Sequence, residues 1–459
     1  MTTATVIDYA RSTAGSLAEA VAAGEVSALE LADAAIAAIE AGDEAINAVV
    51  VRDFERGRAA AKAADAARAR GERGALLGVP MTVKEAHNVG GLPTTWGMAH
   101  WKDFIAPQDS VGVQRLKSAG AVILGKTNVP PMLSDWQSAN PVYGRTNNPH
   151  DLTRSPGGSS GGSAAALAAG YVPLEFGSDI GGSIRVPSHF CGTYGHKPSY
   201  DLIPQRGHMP PGVDGTGTPL GVIGPMARTA SDLRLALDVL AGPAGLDAVG
   251  YRAELPAARG RRLADFRVLI LDRHPAAQVD SEILKAIDDV ALLLGKAGAK
   301  VARDSNLLPD LAAAHQLYMG MLMTAMSRGA PQQRDPPVTA HQWMDMQDGQ
   351  MAVRRRWAEL FDSFDIVLAP TLGVAAFPHA DDDGLSWAAR TLKIDGRDTP
   401  FGDQLAWPGM AVLGHLPATA FPVGRTAGGL PIGLQAMGPY LEDYTTIAFA
   451  EAMERELAG

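Results

Sequence analysis

The chain has 459 residues, 46% hydrophobic and 20% charged, and its 51 Gly and 31 Pro sit in discrete turns without a G-X-Y period, so disorder and fibrous repeats are excluded. Forty Lys plus Arg against 50 Asp plus Glu give a net charge of −10 with no basic tail, which argues against nucleic acid as a partner. Cys191 is the only cysteine, and no apolar run approaches the roughly 18 residues of a membrane span or follows a basic N-terminal start. A cytoplasmic protein with neither disulfide nor membrane anchor is therefore expected.

In chain order, residues 14–42 place Leu17, Val21, Leu29, Leu31, Ala35, Ile36 and Ile39 at helical spacing, predicting a helical hairpin whose second arm is capped by Ser27. Residues 52–74 carry seven Lys/Arg and four Asp/Glu in an Ala-rich run with Phe54 as the sole aromatic, the pattern of a solvated helix face. From residue 75 the rhythm changes. Short apolar runs bounded by Gly or Pro, LLGVPMTVK and AVILGK, flank the helical stretch VGVQRLKSAG, predicting strands joined by crossover helices. Further on, FRVLILD reads as a strand, residues 281–301 as a helix leading into another, and IVLAPTL and PATAFPVG as later strands. The fold class expected is α/β, with a large mixed central sheet covered by helices on both faces and no internal repeat or long linker.

The densest chemical signal lies at 155–187, where two Gly-flanked serine turns, GGSSGG and DIGGS, stand 24 residues apart around a small-residue helix (Ser163–Gly170) and a strand. Glycines let successive N–H groups point into one cavity, as an anion-stabilising hole requires, and the serines supply hydroxyls at the same place. A serine hydroxyl needs a base. The 11 histidines are scattered in loops, whereas Lys84 ends an apolar run where a strand would deliver it into a buried site. Burial penalises the ammonium, and a neutral Lys84 can accept a proton.

With GVPMTVKE, GKTN, SPGGSSGG through DIGGSIRVPS, and GPMART, the chain resembles the amidase signature family from about residue 5 to LPIGLQAMGPYLED. The resemblance implies amide hydrolysis by a Ser-cisSer-Lys triad without cofactor or metal. Ser183 is then the nucleophile, Ser159 the proton relay and Lys84 the base. By the same resemblance the N–H groups of Ile180, Gly181, Gly182 and Ser183 form the oxyanion hole, with Ser160, Asp179 and Arg185 bracing it. The sequence departs from the family pattern at Glu85, where Asp is usual, and at Pro131, where an acid is frequent. Both touch support and pocket wall and leave the triad intact.

The resemblance implies one domain over 1–459, with a signature core at about 65–230 and substrate-funnel or lid elements at about 305–410. Seven of the 16 Met fall between Met319 and Met351; these flexible side chains suit either an adaptable pocket or an ordinary core. With Trp136, Trp343 and Trp407 in loop-like contexts, they lean towards a bulky apolar or aryl substrate, and Met132, Ser134, Trp136, Met323 and Trp407 are the candidate pocket residues. Trp96 and Trp101 are assigned to either pocket wall or packing. The partner expected is a small-molecule amide or carbamate, with a homodimer as the base-rate assembly.

Competing patterns are present. Residues 120–127 satisfy G-x-x-x-x-G-K-[ST], but their middle is a buried strand, and Pro130 and Pro131 deny the helix a phosphate site needs. G-x-S-x-G at 157–161 would make Ser159 a nucleophile with Asp365 and His415 as partners, and would leave DIGGS without a role. His189, Cys191 and His196 fit no common zinc spacing, and Asp381–Asp383 lacks a calcium-loop pattern. The signature also occurs in the amidase subunit of tRNA-dependent amidotransferases, and its triad accommodates carbamates and esters. A non-catalytic scaffold is disfavoured because all three triad positions hold reactive residue types.

Overall fold

The protein, described by a computed structural model over residues 8–328, 336–380 and 387–458, is built on an 11-stranded sheet. In chain order the strands are β1 (Val49–Arg52), β2 (Pro80–Lys84), β3 (Val122–Thr127), β4 (Ala139–Asn140), β5 (Gly144–Arg145), β6 (Leu174–Asp179), β7 (Tyr194–Lys197) and β8 (Val222–Ala227). There follow β9 (Arg267–Ile270), β10 (Lys300–Ala302), β11 (Ile366–Pro370), β12 (Thr391–Ile394), β13 (Arg397–Pro400), β14 (Ala418–Arg425) and β15 (Pro431–Met437). The main sheet runs β1-β3-β2-β6-β8-β7-β14-β15-β11-β9-β10, while β4-β5 and β12-β13 are separate two-stranded pairs.

The sheet is mixed, as the sequence predicts. β2 lies parallel to β3 and β6, and β9 parallel to β10 and β11, while β6-β8, β7-β8, β7-β14, β14-β15 and β11-β15 are antiparallel. Every residue of β2, β3, β6, β8, β11 and β15 is buried. Since successive side chains in a strand point to opposite faces, burial at every position means that both faces are covered there.

The helices that cover it follow the sequence signals. α1 (Ala14–Ala23) and α2 (Ala28–Ile46) form the predicted hairpin, and Ser27 closes a capping box in which its hydroxyl accepts the Glu30 N–H and the Glu30 carboxylate accepts the Ser27 N–H. α3 (Phe54–Ala69) buries Ala61 and Ala64 and turns its charges outward, where Arg56 pairs with Asp53 and Arg58 with Asp33. α4 (Val111–Ser118), α5 (Gly161–Ala168), α6 (Arg185–Cys191), α7 (Ala230–Leu240) and α8 (Ser281–Lys296) complete the central body. α9 (Leu311–Met326), α10 (Ala340–Ser363), α11 (Ala406–Leu413) and α12 (Asp443–Ala458) follow.

Three apolar clusters result. The largest joins the sheet to α1, α2, α7 and α12, a second surrounds Trp136, Tyr318 and Phe401, and a third surrounds Trp357 and Trp407. The acidic run Asp381–Asp383 lies outside the described residues.

Candidate active site

β2 ends on Lys84, and its burial between parallel neighbours carries the ammonium stem out of water altogether. Lys84 Nζ lies 2.7 Å from Ser159 Oγ and 2.9 Å from Ser178 Oγ. Burial lowers its pKa to about 7, against an opposing pull from the Asp179 charge. The amine is therefore poised between its two protonation states at neutral pH.

The two serine turns meet because α5 and β6 form a tight return between them. α5 is built from Gly, Ser, Ala and Leu, and Ala164, Ala165 and Ala166 are wholly buried. The Gly158–Ser159 peptide is cis. Ser160 N–H donates to the Ser183 carbonyl at 3.1 Å, and Ser160 Oγ accepts the Ser178 N–H at 3.4 Å, so the first turn is stitched to the second. Gly157 adopts φ +84, and a Cβ there would meet Pro187 Cα at 2.7 Å, a close approach that only glycine permits.

Asp179 organises the second turn. Its carboxylate accepts N–H groups from Gly182 (2.9 Å) and Ile184 (3.1 Å) and the Arg185 guanidinium at 2.8 and 3.0 Å. The ion pair is fully buried. Burial alone would raise the Asp179 pKa, but the charge and hydrogen bonds of Arg185, with Lys197, outweigh it and bring the group to about 2. Arg185 is satisfied on its far side by Gln435 Oε1 at 2.6 Å and the Pro408 carbonyl at 3.1 Å.

This bracing bears on the four N–H groups expected to point into one cavity: that of Gly182 is already hydrogen-bonded to Asp179. Two side chains fix neighbouring peptides of the turn, Tyr318 the Ile180–Gly181 peptide and Trp136 the Gly181–Gly182 peptide. Tyr318 OH donates to the Ile180 carbonyl at 2.8 Å and Trp136 Nε1 to the Gly181 carbonyl at 3.0 Å. In a trans peptide the N–H points opposite the C=O, so Tyr318 turns the Gly181 N–H away from α9. Sequence reasoning missed Tyr318, Ser178 and Gln435: each is an ordinary residue in its own segment, and its role arises only from contact with a distant turn.

The candidate pocket residues do not form one wall. Met132 and Ser134 share a turn in which Met132 and Leu133 both have positive φ (51° and 58°). Trp136 is buried against the second serine turn, Trp407 is enclosed in the separate cluster around Trp357, and Met323 on α9 is 52% exposed. Glu85 accepts the backbone N–H groups of Thr95 (2.5 Å) and Trp96 (3.0 Å), fastening the loop that follows β2.

Among the alternatives, the nucleophile-elbow reading is not supported. Asp365 is bound by Arg267 and Arg259, while His415 hydrogen-bonds Gln350 and stacks on Tyr200. His189 meets the Val374 carbonyl and the Gly433 N–H, Cys191 donates to the Pro156 carbonyl, and His196 lies between Thr419 and Asp443. Among the described residues no group of three or more His, Cys, Asp or Glu could hold a metal ion, and no helix is long and apolar enough to cross a membrane.

A family model described as Amidase matches residues 30–346 and 329–447. The chain is 31% identical to a glutamyl-tRNA(Gln) amidotransferase subunit of Roseiflexus sp. (strain RS-1), over 95% of this chain and 94% of that protein. It is 33% identical to a putative amidase, AmiB2, of Mycobacterium bovis (strain ATCC BAA-935 / AF2122/97), over 97% and 96%. The crystal structure of a bacterial aryl acylamidase of the amidase signature enzymes superposes with a TM-score of 0.79 at 26% identity, covering 97% of this chain and 96% of that one.

Proposed function

Since the chain belongs to the amidase signature family, whose enzymes act on carbon–nitrogen bonds, we propose that it is an amidase working through an acyl-enzyme on Ser183. The observation that carries this reading is the wholly buried Lys84 amine, 2.7 Å from Ser159 Oγ, with a pKa brought to about 7.

Neutral Lys84 takes the Ser159 hydroxyl proton as Ser159 takes that of Ser183, and Ser183 Oγ bonds to the substrate carbonyl carbon. The carbonyl oxygen becomes an oxyanion facing the N–H groups of Ile180, Gly181 and Ser183; Tyr318, on the Ile180 carbonyl, holds the Gly181 N–H, while Trp136 and Asp179 fix the carbonyl and N–H of the intervening Gly181–Gly182 peptide. The C–N bond breaks as the relay returns a proton to the departing nitrogen. Water, deprotonated by the same relay, then cleaves the acyl–oxygen bond and frees Ser183.

The substrate favoured is a bulky apolar or aryl amide, on Trp136, which bonds the turn at the Gly181 carbonyl, with Trp387 5.0 Å from it, and on the likeness to an aryl acylamidase. Carbamates and esters present the same carbonyl. The likeness to a glutamyl-tRNA(Gln) amidotransferase component favours a second reading, ammonia supply within a complex. Steady-state assays of the purified chain on aryl amides, aliphatic amides, carbamates, esters and glutamine decide among these. Turnover of aryl amides without ATP, tRNA or a partner supports the amidase; turnover of glutamine alone supports the amidotransferase reading. A fluorophosphonate should label Ser183, and Ser183→Ala and Lys84→Met should each lower kcat/KM by at least about 10³-fold. Full activity of Lys84→Met would remove the lysine from its role.

A further inference from the structure

Beside Lys84 lies a group of rings that the proton relay does not use. His87 follows Lys84 by three residues, and its N–H donates to the Lys84 carbonyl at 3.0 Å. Its ring stacks on Phe176 at 4.1 Å and lies 4.6 Å from the ring of His208, which in turn lies 5.3 Å from Trp96. The contact is built by backbone pairing between distant loops. Asn88 N–H donates to the Gly207 carbonyl at 2.9 Å, which brings His208 against His87. Trp96, at φ +52, is held at both ends, its N–H by Glu85 and its carbonyl by the Met132 N–H.

Each of these three rings carries a buried polar atom with no hydrogen-bond partner among the described residues: His87 Nδ1, His208 Nε2 and Trp96 Nε1. The exposures of the three residues are 0%, 6% and 6%. Buried polar atoms are usually satisfied in folded proteins, and of the dozen left without a partner among the described residues these three fall in one chain of touching rings. Their chemistry is readable. His87 Nε2 faces the Gly177 carbonyl at 3.3 Å; a carbonyl only accepts, so Nε2 carries the hydrogen and Nδ1 offers a lone pair. Trp96 Nε1 can only donate, and His208 Nε2 can do either according to its tautomer.

Both imidazoles are neutral: burial, then the Lys84 charge, lowers His208 to about 3, and burial, His208 and Lys84 hold His87 well below its usual value. The ring cluster therefore combines unpartnered donor and acceptor atoms without charge. It also lies beside Lys84, the end of the relay from which a proton returns to the departing nitrogen.

We propose that His87, His208 and Trp96 form a polar recess that recognises an uncharged group able both to donate and to accept hydrogen bonds, such as a primary carboxamide, on the amine half of the substrate. The orientation rests on the amidase reading, in which the leaving nitrogen faces the Ser159–Lys84 side.

The test is binding to the full-length Ser183→Ala protein, followed by titration calorimetry, of three anilides that differ only at the para position of the aniline ring: carboxamide, methyl and carboxylate. The carboxamide should bind at least tenfold more tightly than either of the others. His208→Phe and His87→Phe, each made in that background, should reduce the preference over methyl to within about twofold, and His208→Asn should restore part of it. Equal binding of the three compounds, or a preference for methyl or carboxylate, overturns the proposal. So does a preference that survives in both Phe variants. The comparison of ligands needs no ring variant, so it stands even where a Phe variant fails to fold. Binding to Ser183→Ala needs no turnover. A wild-type chain that hydrolyses no amide would therefore count against the amidase reading, while the carboxamide preference would still report on the recess.

Discussion

Among the described residues Lys84 has no counter-charge in hydrogen-bond contact, only the hydroxyls of Ser159 and Ser178. Its amine is lowered to about 7, so the proposed base is neutral above that pH and protonated below it. kcat/KM should accordingly rise with pH through about 7 and level off above, and a pH–rate series on a non-ionising anilide measures it. The same depression is a cost to folding. The unfolded lysine, near 10.5, binds its proton more tightly than the folded one, so Lys84 subtracts stability at every pH below its unfolded value. Lys84→Met should therefore abolish activity yet raise stability at pH 7 by about 1–3 kcal/mol, the desolvation relieved less about 1 kcal/mol for each hydrogen bond lost. Urea unfolding of the two proteins checks the sign.

The turn from Asp179 to Arg185 is held by a buried ion pair whose remaining valences are filled by backbone N–H groups, Gln435 and Pro408. Breaking one partner strands the other in low dielectric, so Arg185→Met should destabilise the protein by about 3–5 kcal/mol, as read by denaturant midpoint. Gly182 sits at φ +95 with Val186 Cγ2 2.8 Å and Pro408 Cβ 3.1 Å from where a Cβ would stand. Gly182→Ala should cost kcat more than KM, because the strain falls on the peptides that face the oxyanion. A shift in KM alone would place the defect elsewhere. The short strand–turn–helix run DIGGSIRVP announces this element in the sequence. Gln435, 250 residues further on, could be assigned to it only from the fold.

Across the described residues, three lysines are enclosed. Burial lowers Lys84 and Lys197 to about 7 and Lys126 to about 8. All three bind protons more weakly folded than unfolded, so between about pH 7 and 9.5 the unfolded chain holds the excess and stability should rise with pH. A series of urea midpoints across that window tests this; a midpoint falling from pH 7 to 9.5 would mean the amines are not desolvated. The molecule thus accepts a folding cost at three sites, of which the proposed proton relay uses Lys84 alone. Lys126 reaches the Pro93 carbonyl and Thr94 Oγ1, fastening the same post-β2 loop that Glu85 holds.

The triad candidates, the mixed sheet and the helical hairpin were legible from local pattern, because glycine turns, apolar runs and capping boxes act over a few residues and leave their mark in contiguous sequence. The same locality hides the contact at Gly182: four consecutive N–H groups look equivalent in a string, and only the position of the Asp179 carboxylate shows that one is taken. Tyr318, Ser178 and Gln435, the scatter of the candidate pocket residues, and the ring cluster of His87, Trp96 and His208 depended on long-range packing. Side chains from α9, β6, β15 and two separate loops converge there because a sheet of non-sequential strands brings together segments between 10 and 250 residues apart, and no periodicity in the chain encodes which of them will touch.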